Sequence, residues 1–97
     1  MNGTFLKKWG TKGKLDNQFD CPVGIYVDPV SKYILVSERY NHRIQVFDPN
    51  LKSLFKFGSE GSGEGQFNQP WGIAIHPKTQ DLIVSDYENR IQIFKLG

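Results

Sequence analysis

The sequence repeats itself once, and this repeat limits the folds that the chain can adopt. Residues 2–41 align with residues 50–89 at an offset of 48, and residues 43–49 align with residues 90–96 at an offset of 47, with a one-residue gap opposite His42. Identical residues occupy 14 of the 40 pairs in the first stretch and 4 of the 7 in the second. Many of them are Gly or Pro, which set turns and strand ends. We therefore divide the chain into unit 1, residues 1–49, and unit 2, residues 50–97, each too small to bury a core alone.

Each unit predicts four short β-strands, and neither unit has a helical periodicity. The predicted strands are residues 4–9, 23–27, 33–37 and 43–47 in unit 1 and residues 54–57, 71–75, 82–85 and 90–94 in unit 2. The apolar run 23–27 predicts a strand buried on both faces, whereas the alternation in 43–47 predicts a half-buried one. Short strands at regular spacing indicate an all-β sandwich, barrel or propeller.

The positions that the two units share also form a recognisable motif. Unit 1 contains Gln18-Phe19, Pro22-Val-Gly-Ile25, Val36-Ser-Glu38 and Asn41-His-Arg-Ile-Gln-Val-Phe47, and unit 2 repeats this series from Gln66 to Phe94. The pattern resembles the NHL repeat. NHL repeats build β-propellers, usually with six blades, and each blade is a four-stranded antiparallel sheet. The resemblance implies a β-propeller fold with two blades in this chain.

Two kinds of motif residue have a packing role in such a fold. Gly24 and Gly72 lie in the predicted innermost strands, where glycine allows neighbouring backbones to approach closely. We expect Phe19 and Phe67 to fill apolar gaps between blades. These residues are predicted to be structural.

Two pairs of opposite charges flank the predicted turn between the second and third strands of each unit. Glu38 lies near Arg43, and Asp86 lies near Arg90. A carboxylate and a guanidinium at such a turn can form a charge-assisted hydrogen bond. We predict that each pair fixes its turn and that none of the four groups is catalytic.

Two blades cannot close a propeller. A four-stranded blade covers roughly 350 Å² on each face by standard strand spacings. Two blades packed together leave two bare faces, roughly 700 Å² of largely apolar surface, which is more than a soluble monomer usually exposes. The sequence therefore predicts that further blades cover these faces.

The order of the predicted strands suggests a head-to-tail clasp between copies. Residues 4–9 form an outermost-type strand, whereas residues 90–94 form a third-type strand that lacks an outer neighbour. If residues 4–9 of one copy complete the second blade of the next, the contact must close into a ring, and three copies give six blades. We therefore expect a homotrimer, with rings of four or eight blades less favoured. The predicted clasp residues are Phe5, Leu6, Trp9, Ile91, Ile93 and Phe94.

Two other interpretations of the two-blade length remain open. The chain could be a fragment of a longer polypeptide that supplies the missing blades. It could also be an engineered or ancestral-like fragment whose only function is to assemble.

No catalytic, metal or cofactor site is predicted. The two histidines, His42 and His76, lie in different contexts, and no spacing aligns a serine nucleophile with a base. Metal sites need several convergent ligands. We expect a protein that is not an enzyme. Some NHL-like propeller lyases and esterases nevertheless carry an axial metal. In a trimer, a threefold axis could also gather three copies of one side chain around an ion.

The resemblance implies a binding platform for protein or for single-stranded RNA. The implied face is formed by the inter-blade loops, residues 11–21 and 59–69, and by the turns at 38–42 and 86–89. The exposed candidates on this face are Lys12, Lys14, Arg39, Tyr40, His42 and Tyr87. The same loops carry seven acidic residues, which are Asp16, Asp20, Glu38, Glu60, Glu64, Asp86 and Glu88. Because RNA binding requires phosphate neutralisation, this excess of acids favours a protein partner over RNA.

The remaining features suggest a cytoplasmic protein that does not associate with membranes. No apolar run reaches the roughly 18 residues of a membrane span, and the first residues lack the apolar segment of a signal peptide. The net charge is +2, and Cys21 is the single cysteine. A lone cysteine cannot form an intramolecular disulfide, so a reducing compartment is expected.

Overall fold

The computed structural model of the chain describes residues 2–96, and within that range every regular element is a β-strand. The strands are β1 (Thr11–Lys12), β2 (Gln18–Phe19), β3 (Pro22–Val27), β4 (Ile34–Glu38), β5 (Arg43–Phe47), β6 (Ser53–Phe57), β7 (Pro70–Ile75), β8 (Leu82–Asp86) and β9 (Arg90–Phe94). The predicted all-β class is confirmed.

The seven longer strands form two antiparallel sheets with the same meander topology. Blade 1 is the four-stranded sheet β3-β4-β5-β6, and blade 2 is the three-stranded sheet β7-β8-β9. Blade 1 thus takes its outer strand, β6, from repeat unit 2. The short strands β1 and β2 pair in parallel within the loop before blade 1. Blade 1 has the four antiparallel strands expected of an NHL propeller blade, and blade 2 has three of them within the described residues.

The predicted strand at residues 4–9 is not formed. Residues 2–10 contain no strand, and Phe5 and Leu6 are 74% and 88% exposed. A strand requires a neighbour that accepts and donates its backbone hydrogen bonds. In a single copy no such neighbour lies beside these residues in the described part of the chain.

The main core lies between the two blades. Blade 1 contributes Leu35, Ile44 and Val46, whereas Phe67 reaches this core from the loop that precedes blade 2. The ring of Phe67 is completely buried. The prediction that this phenylalanine fills the gap between the blades is therefore confirmed.

Phe19 is the counterpart of Phe67 in unit 1, and it packs on the face of blade 1 that points away from blade 2. The Phe19 ring lies 5.5 Å from the Trp9 ring and 5.9 Å from the Phe47 ring, measured between centroids. Phe67 lies at 5.6 Å from Phe94, which follows the same pattern in blade 2. Trp9, near the end of the N-terminal segment, therefore packs on the outer face of blade 1 through Phe19 and Phe47.

Close approach of the innermost strands explains the glycine at position 24. A Cβ atom there would lie 2.7 Å from the Trp71 carbonyl oxygen of blade 2 and 2.6 Å from Ser37 Oγ. The backbone atom cannot move away without separating the blades. The equivalent Gly72 has only Ser85 Oγ nearby, at 3.3 Å.

Burial of the strands differs from the sequence prediction in two places. The strand at 23–27 was expected to be buried on both faces, but Ile25 and Val27 of β3 are 66% and 52% exposed, because no blade covers that side of β3. The strand at 43–47 was expected to be half buried, but every residue of β5 is buried. Blade 2 covers one face of β5, and Trp9 and Phe19 cover Phe47 on the other.

The turn between the second and third strands differs in length between the blades. His42 in blade 1 and Asn89 in blade 2 both have a left-handed backbone, with φ of 51° and 61°, and each directly precedes the turn arginine. His42 is thus the structural equivalent of Asn89. The extra residue of the longer turn therefore lies among residues 39–41 and not at His42, where the sequence alignment placed the gap.

Candidate functional site

A buried ion pair fixes the turn between β4 and β5. The Arg43 Nε atom donates to Glu38 Oε2 at 2.7 Å, and Gln45 Nε2 donates to the same oxygen at 2.8 Å. The Arg43 Nη2 atom also donates to the carbonyl oxygens of Leu15 and Gln18 at 3.1 and 2.9 Å. The predicted pairing is confirmed, and it extends to the loop before blade 1, which Arg43 holds against the turn.

Blade 2 repeats this arrangement in a more open form. Arg90 Nε donates to Asp86 Oδ2 at 3.0 Å, and Arg90 Nη2 donates to the Gln66 carbonyl oxygen at 2.7 Å. The Arg90 side chain is 24% exposed, against 8% for Arg43. The second predicted pair is therefore also confirmed, with its arginine partly in water.

Three of the predicted partner-binding residues meet at the junction between the blades. The Arg39 guanidinium carbon lies 5.0 Å from the centre of the Tyr40 ring and 4.8 Å from that of the Tyr87 ring. It also lies 5.1 Å from the Trp71 ring, a residue that the sequence analysis did not select. We call Arg39, Tyr40, Trp71 and Tyr87 the arginine–aromatic cluster.

Hydrogen bonds orient Arg39 within this cluster. Its Nε atom donates to Gln69 Oε1 at 2.8 Å, and its Nη2 atom donates to the Tyr87 hydroxyl at 3.0 Å. The Trp71 and Tyr87 rings lie 5.7 Å apart. The guanidinium is thus held between the two blades, with aromatic rings around it.

The aromatic members of the cluster remain accessible. Tyr40, Trp71 and Tyr87 are 49%, 46% and 51% exposed, respectively. Large aromatic side chains at this exposure beside an arginine are typical of binding surfaces, in which such residues contribute most of the affinity. This junction is the strongest candidate site on the described part of the chain.

The other three candidates lie outside the cluster. Lys12 and Lys14 belong to the loop that precedes blade 1, and Lys12 is exposed there. Lys14 and His42 line a cleft beside Glu60, which Tyr40 of the cluster also borders. The prediction that His42 is exposed is wrong, because its side chain is only 16% accessible and its Nδ1 accepts a hydrogen bond from the Gln69 backbone at 3.1 Å.

The charge on this face is less negative than the sequence count indicated. Glu38 and Asp86 are buried against their arginines and add no net charge. A hydrogen bond from Lys56, together with its positive charge, holds the pKa of Asp16 below its ordinary value. Glu64 and Glu88 have no Lys or Arg within salt-bridge distance among residues 2–96, so some unpaired acidity remains.

The predicted clasp residues occupy three different environments. Phe5 and Leu6 project from the unpaired N-terminal segment. Ile91 and Ile93 are 63% and 66% exposed on the uncovered face of blade 2. The remaining two are already packed within the chain, Trp9 against Phe47 at 5.1 Å and Phe94 against Phe57 at 5.2 Å between ring centroids.

Groups of three or more metal-ligating side chains are absent from residues 2–96. Within the same residues, no helix has the length and apolarity needed to cross a bilayer.

Comparison with known proteins gives partial matches to two relatives. The chain is 50% identical over 44 residues to the E3 ubiquitin-protein ligase TRIM32 of Mus musculus, a match that covers 45% of this chain and 7% of that protein. It is 49% identical over 43 residues to TRIM32 of Homo sapiens, which covers 44% of this chain and 6% of that protein. The matches thus span only a small part of each relative.

The family comparison extends further along the chain than either relative. The sequence profile described as NHL repeat matches residues 19–47 and residues 67–94, which together make up more than half of the chain. The two matches coincide with the strands β3–β5 of blade 1 and β7–β9 of blade 2, including both turn ion pairs. The chain belongs to the NHL repeat family.

Proposed function

We propose that this chain is a non-catalytic protein-binding module whose two blades assemble with further copies into a closed β-propeller. One observation supports the assembly: the two uncovered faces carry residues that correspond, in the repeat, to the residues on the two sides of the junction within the chain. The binding role rests on the arginine–aromatic cluster, in which a guanidinium and three exposed rings meet at the surface.

The repeat relates the bare faces to the internal junction. Ile91 and Ile93 occupy in blade 2 the positions that Ile44 and Val46 occupy in blade 1, where blade 2 buries them to 0% and 2% exposure. The face of blade 2 that carries Ile91 and Ile93 therefore presents aliphatic side chains at the positions that a neighbouring blade buries in blade 1. Burial of an aliphatic side chain of this size contributes about 1.5–3 kcal/mol.

The complementary face lies on blade 1. Ile25 and Val27, both more than half exposed, occupy the positions of Ile73 and Ile75 in blade 2, which pack on the core between the blades. A second copy can thus place its blade 1 on the bare side of blade 2 as blade 2 packs on blade 1 within one chain. Contacts of this head-to-tail kind either close into a ring or grow into a filament.

The same mapping gives the register of the missing strand. Val46 of β5 pairs with Phe55 of β6, and the repeat places Ile93 and Lys7 at the corresponding positions. Residues 4–9 of a neighbouring copy would then supply the fourth strand of blade 2. Three copies give the six blades that are usual for the family, so a homotrimer is the proposed assembly.

Multi-angle light scattering tests the assembly. A mass of about 33 kDa, three times the chain mass of 11.1 kDa, is expected at micromolar concentration. A folded protein that keeps the mass of one chain would contradict self-assembly, and masses of two or four chains would contradict the six-bladed ring.

The relatives bear on the binding role. An E3 ubiquitin-protein ligase, the name that TRIM32 carries, acts on proteins. A propeller segment with an exposed aromatic surface is suited to recognition of a protein. We propose that this chain binds a protein partner with the face that contains the arginine–aromatic cluster.

Single-stranded RNA is the second candidate ligand. It is favoured by one observation, the three exposed aromatic rings beside Arg39, because bases stack on aromatic and guanidinium planes. RNA binding at this site would weaken steeply as salt increases. Absence of binding to a single-stranded oligonucleotide at low salt would eliminate this candidate.

A further inference from the structure

We infer that the arginine–aromatic cluster is a recognition site for a single carboxylate side chain of a partner protein, adjacent to a large apolar residue. This inference rests on the protein-binding part of the proposed function and specifies the chemistry of the partner. It does not depend on the number of copies in the ring.

The hydrogen bonds of Arg39 leave one side of the guanidinium available. The Nε and Nη2 atoms donate within the chain, to Gln69 and Tyr87, whereas Nη1 has no acceptor among residues 2–96. Because the Tyr87 hydroxyl oxygen accepts from Arg39, its own proton is available to a ligand. The site thus offers donors, and an acceptor such as a carboxylate satisfies them.

The rings around Arg39 define the second part of the ligand. Tyr40, Trp71 and Tyr87 surround the guanidinium and expose about half of their surface. They provide apolar area at a low cost in side-chain entropy, and they shield an ion pair with Arg39 from water. An acidic residue flanked by an apolar residue matches both features.

Comparison of the repeats indicates that the fold does not require this cluster. Unit 1 has a valine, Val23, at the position of Trp71, and its turn with Arg39 and Tyr40 is one residue longer than the unit 2 turn that holds Tyr87. Both units nevertheless form the same strands and the same turn ion pairs. The cluster therefore arises from side chains in which the units differ, and it occurs once in each chain.

Charge favours a single carboxylate over a chain of phosphates. Arg39 is the one cation in the cluster, and Lys12 and Lys14 lie in a different loop. Glu88 directly follows Tyr87, and it accepts a hydrogen bond from Ser62 at 2.7 Å rather than from a cation. Because RNA affinity depends on several neutralised phosphates, one arginine beside an acidic residue suits a ligand with few charges.

Nuclear magnetic resonance of the ¹⁵N-labelled full chain tests this inference. The chain contains only two tryptophans, so two indole N–H signals are expected, and Trp71→Phe identifies which belongs to the cluster. The buried Trp9 indole is an internal control. The probes are a blocked tetrapeptide of alternating glutamate and leucine, its glutamine–leucine counterpart, and a hexauridylate.

The acidic peptide is expected to shift the Trp71 indole signal saturably and to leave the Trp9 signal in place. We expect the glutamine peptide to bind about tenfold more weakly, because its hydrogen bonds lack the charge of the carboxylate. Arg39→Ala should abolish the shift, and Arg39→Lys should weaken it, because lysine lacks the planar fork. Retention of the remaining spectrum shows that each variant is folded.

The alternative outcomes separate this inference from the proposed function. Equal affinity for the two peptides would overturn the carboxylate site and leave a protein-binding surface. A hexauridylate that moves the Trp71 signal at lower concentration than the acidic peptide would overturn both this inference and the preference for a protein partner. A Trp71 signal unmoved by every probe would overturn the site, whereas the mass in solution decides the assembly independently.

Discussion

At the scale of single residues, a few buried polar groups connect the loops to the sheets. Glu38 is fully buried and receives hydrogen bonds from Arg43, Gln45, Asn41 and the Asp20 backbone. A buried carboxylate with this many donors is satisfied, but it leaves its partners uncompensated when it is removed. Each blade thus relies on one acid–arginine pair to join its turn to the preceding loop.

Replacing this buried carboxylate should destabilise the protein more than the equivalent change in blade 2. Glu38→Gln is expected to lower the free energy of unfolding by about 3 kcal/mol, because Arg43 stays buried without its counter-charge. Asp86→Asn should cost about 1 kcal/mol, because Arg90 is partly in water and can be solvated. Urea denaturation at one fixed chain concentration measures both, and similar losses would contradict the difference in burial.

The two innermost glycines provide a second matched comparison. Gly24→Ala places a methyl group against the Trp71 carbonyl oxygen and should lower the free energy of unfolding by about 1–3 kcal/mol through overpacking. In Gly72→Ala the nearest atom is a serine hydroxyl at 3.3 Å, so a smaller loss is expected. Thermal unfolding of the two variants should rank them in this order; the reverse order would show that blade contact does not limit position 24.

At the scale of elements, the outer edge of β9 is the least complete part of the structure. Its backbone edge has no partner strand within the described residues, and residues 2–10 form no strand. An unpaired edge with an apolar face readily accepts another strand. In the proposed assembly these two segments complete each other across copies.

A proline within the N-terminal segment tests this pairing. Lys7→Pro places a proline opposite Ile93 and should weaken the trimer, since proline lacks a backbone donor and is disfavoured in the middle of a ladder. The fold of the single chain should survive, because residue 7 makes no ladder within it. Lys7→Ala is the control, and equal masses for the two variants in light scattering would argue against strand exchange.

The strands themselves could be predicted from the sequence, because their signals are local. The Gly and Pro positions, the apolar runs and the alternation in 43–47 placed seven strands within one or two residues of those observed. The short strands β1 and β2 lack such signals and were missed. Burial was harder to predict, because the exposure of Ile25 and the full burial of β5 depend on which blade lies next to them.

The candidate site could be predicted only in part. Arg39, Tyr40 and Tyr87 lie in turns that the repeat pattern identified, but Trp71 lies in a strand that was assigned to packing. The contact between Arg39 and Trp71 exists only because the blades stack. A sequence signal was nevertheless present, since a tryptophan replaces the valine at the matching position of unit 1. His42 was wrongly expected to be exposed, because its hydrogen bond from the Gln69 backbone forms only where the two blades meet.

At the scale of the whole molecule, the proposed ring depends on the match between two faces. Substituting either face with a charge should leave the chain folded and prevent assembly. Ile93→Lys and Val27→Glu are each expected to reduce the mass to that of one chain, because an isolated charge cannot be buried between blades. Val30→Lys, at an exposed position in the turn after β3, is the charge-matched control and should assemble normally.

A variant that combines Ile93→Lys with Val27→Glu tests whether these two faces meet each other in the assembly. Ile93 and Val27 correspond to Val46 and Ile75, which line the same space at the internal junction. The two substitutions made together would therefore place an ammonium group and a carboxylate opposite each other at every junction, where their charges compensate in part. Recovery of the trimer in Ile93→Lys/Val27→Glu is expected, and a double variant no better than either single one would contradict the proposed orientation.

In the proposed assembly, the outer faces correspond to the inner junction. Linking the units in one polypeptide should therefore have the same effect as raising the concentration of separate chains. A polypeptide that carried this two-blade unit three times in tandem would bury the same isoleucines by the same contacts, in a folding reaction independent of dilution. Separate chains would reach that arrangement only above a threshold concentration. In the proposed assembly, the surface that a blade presents to its neighbour would therefore be the same whether the blades belong to one molecule or to several.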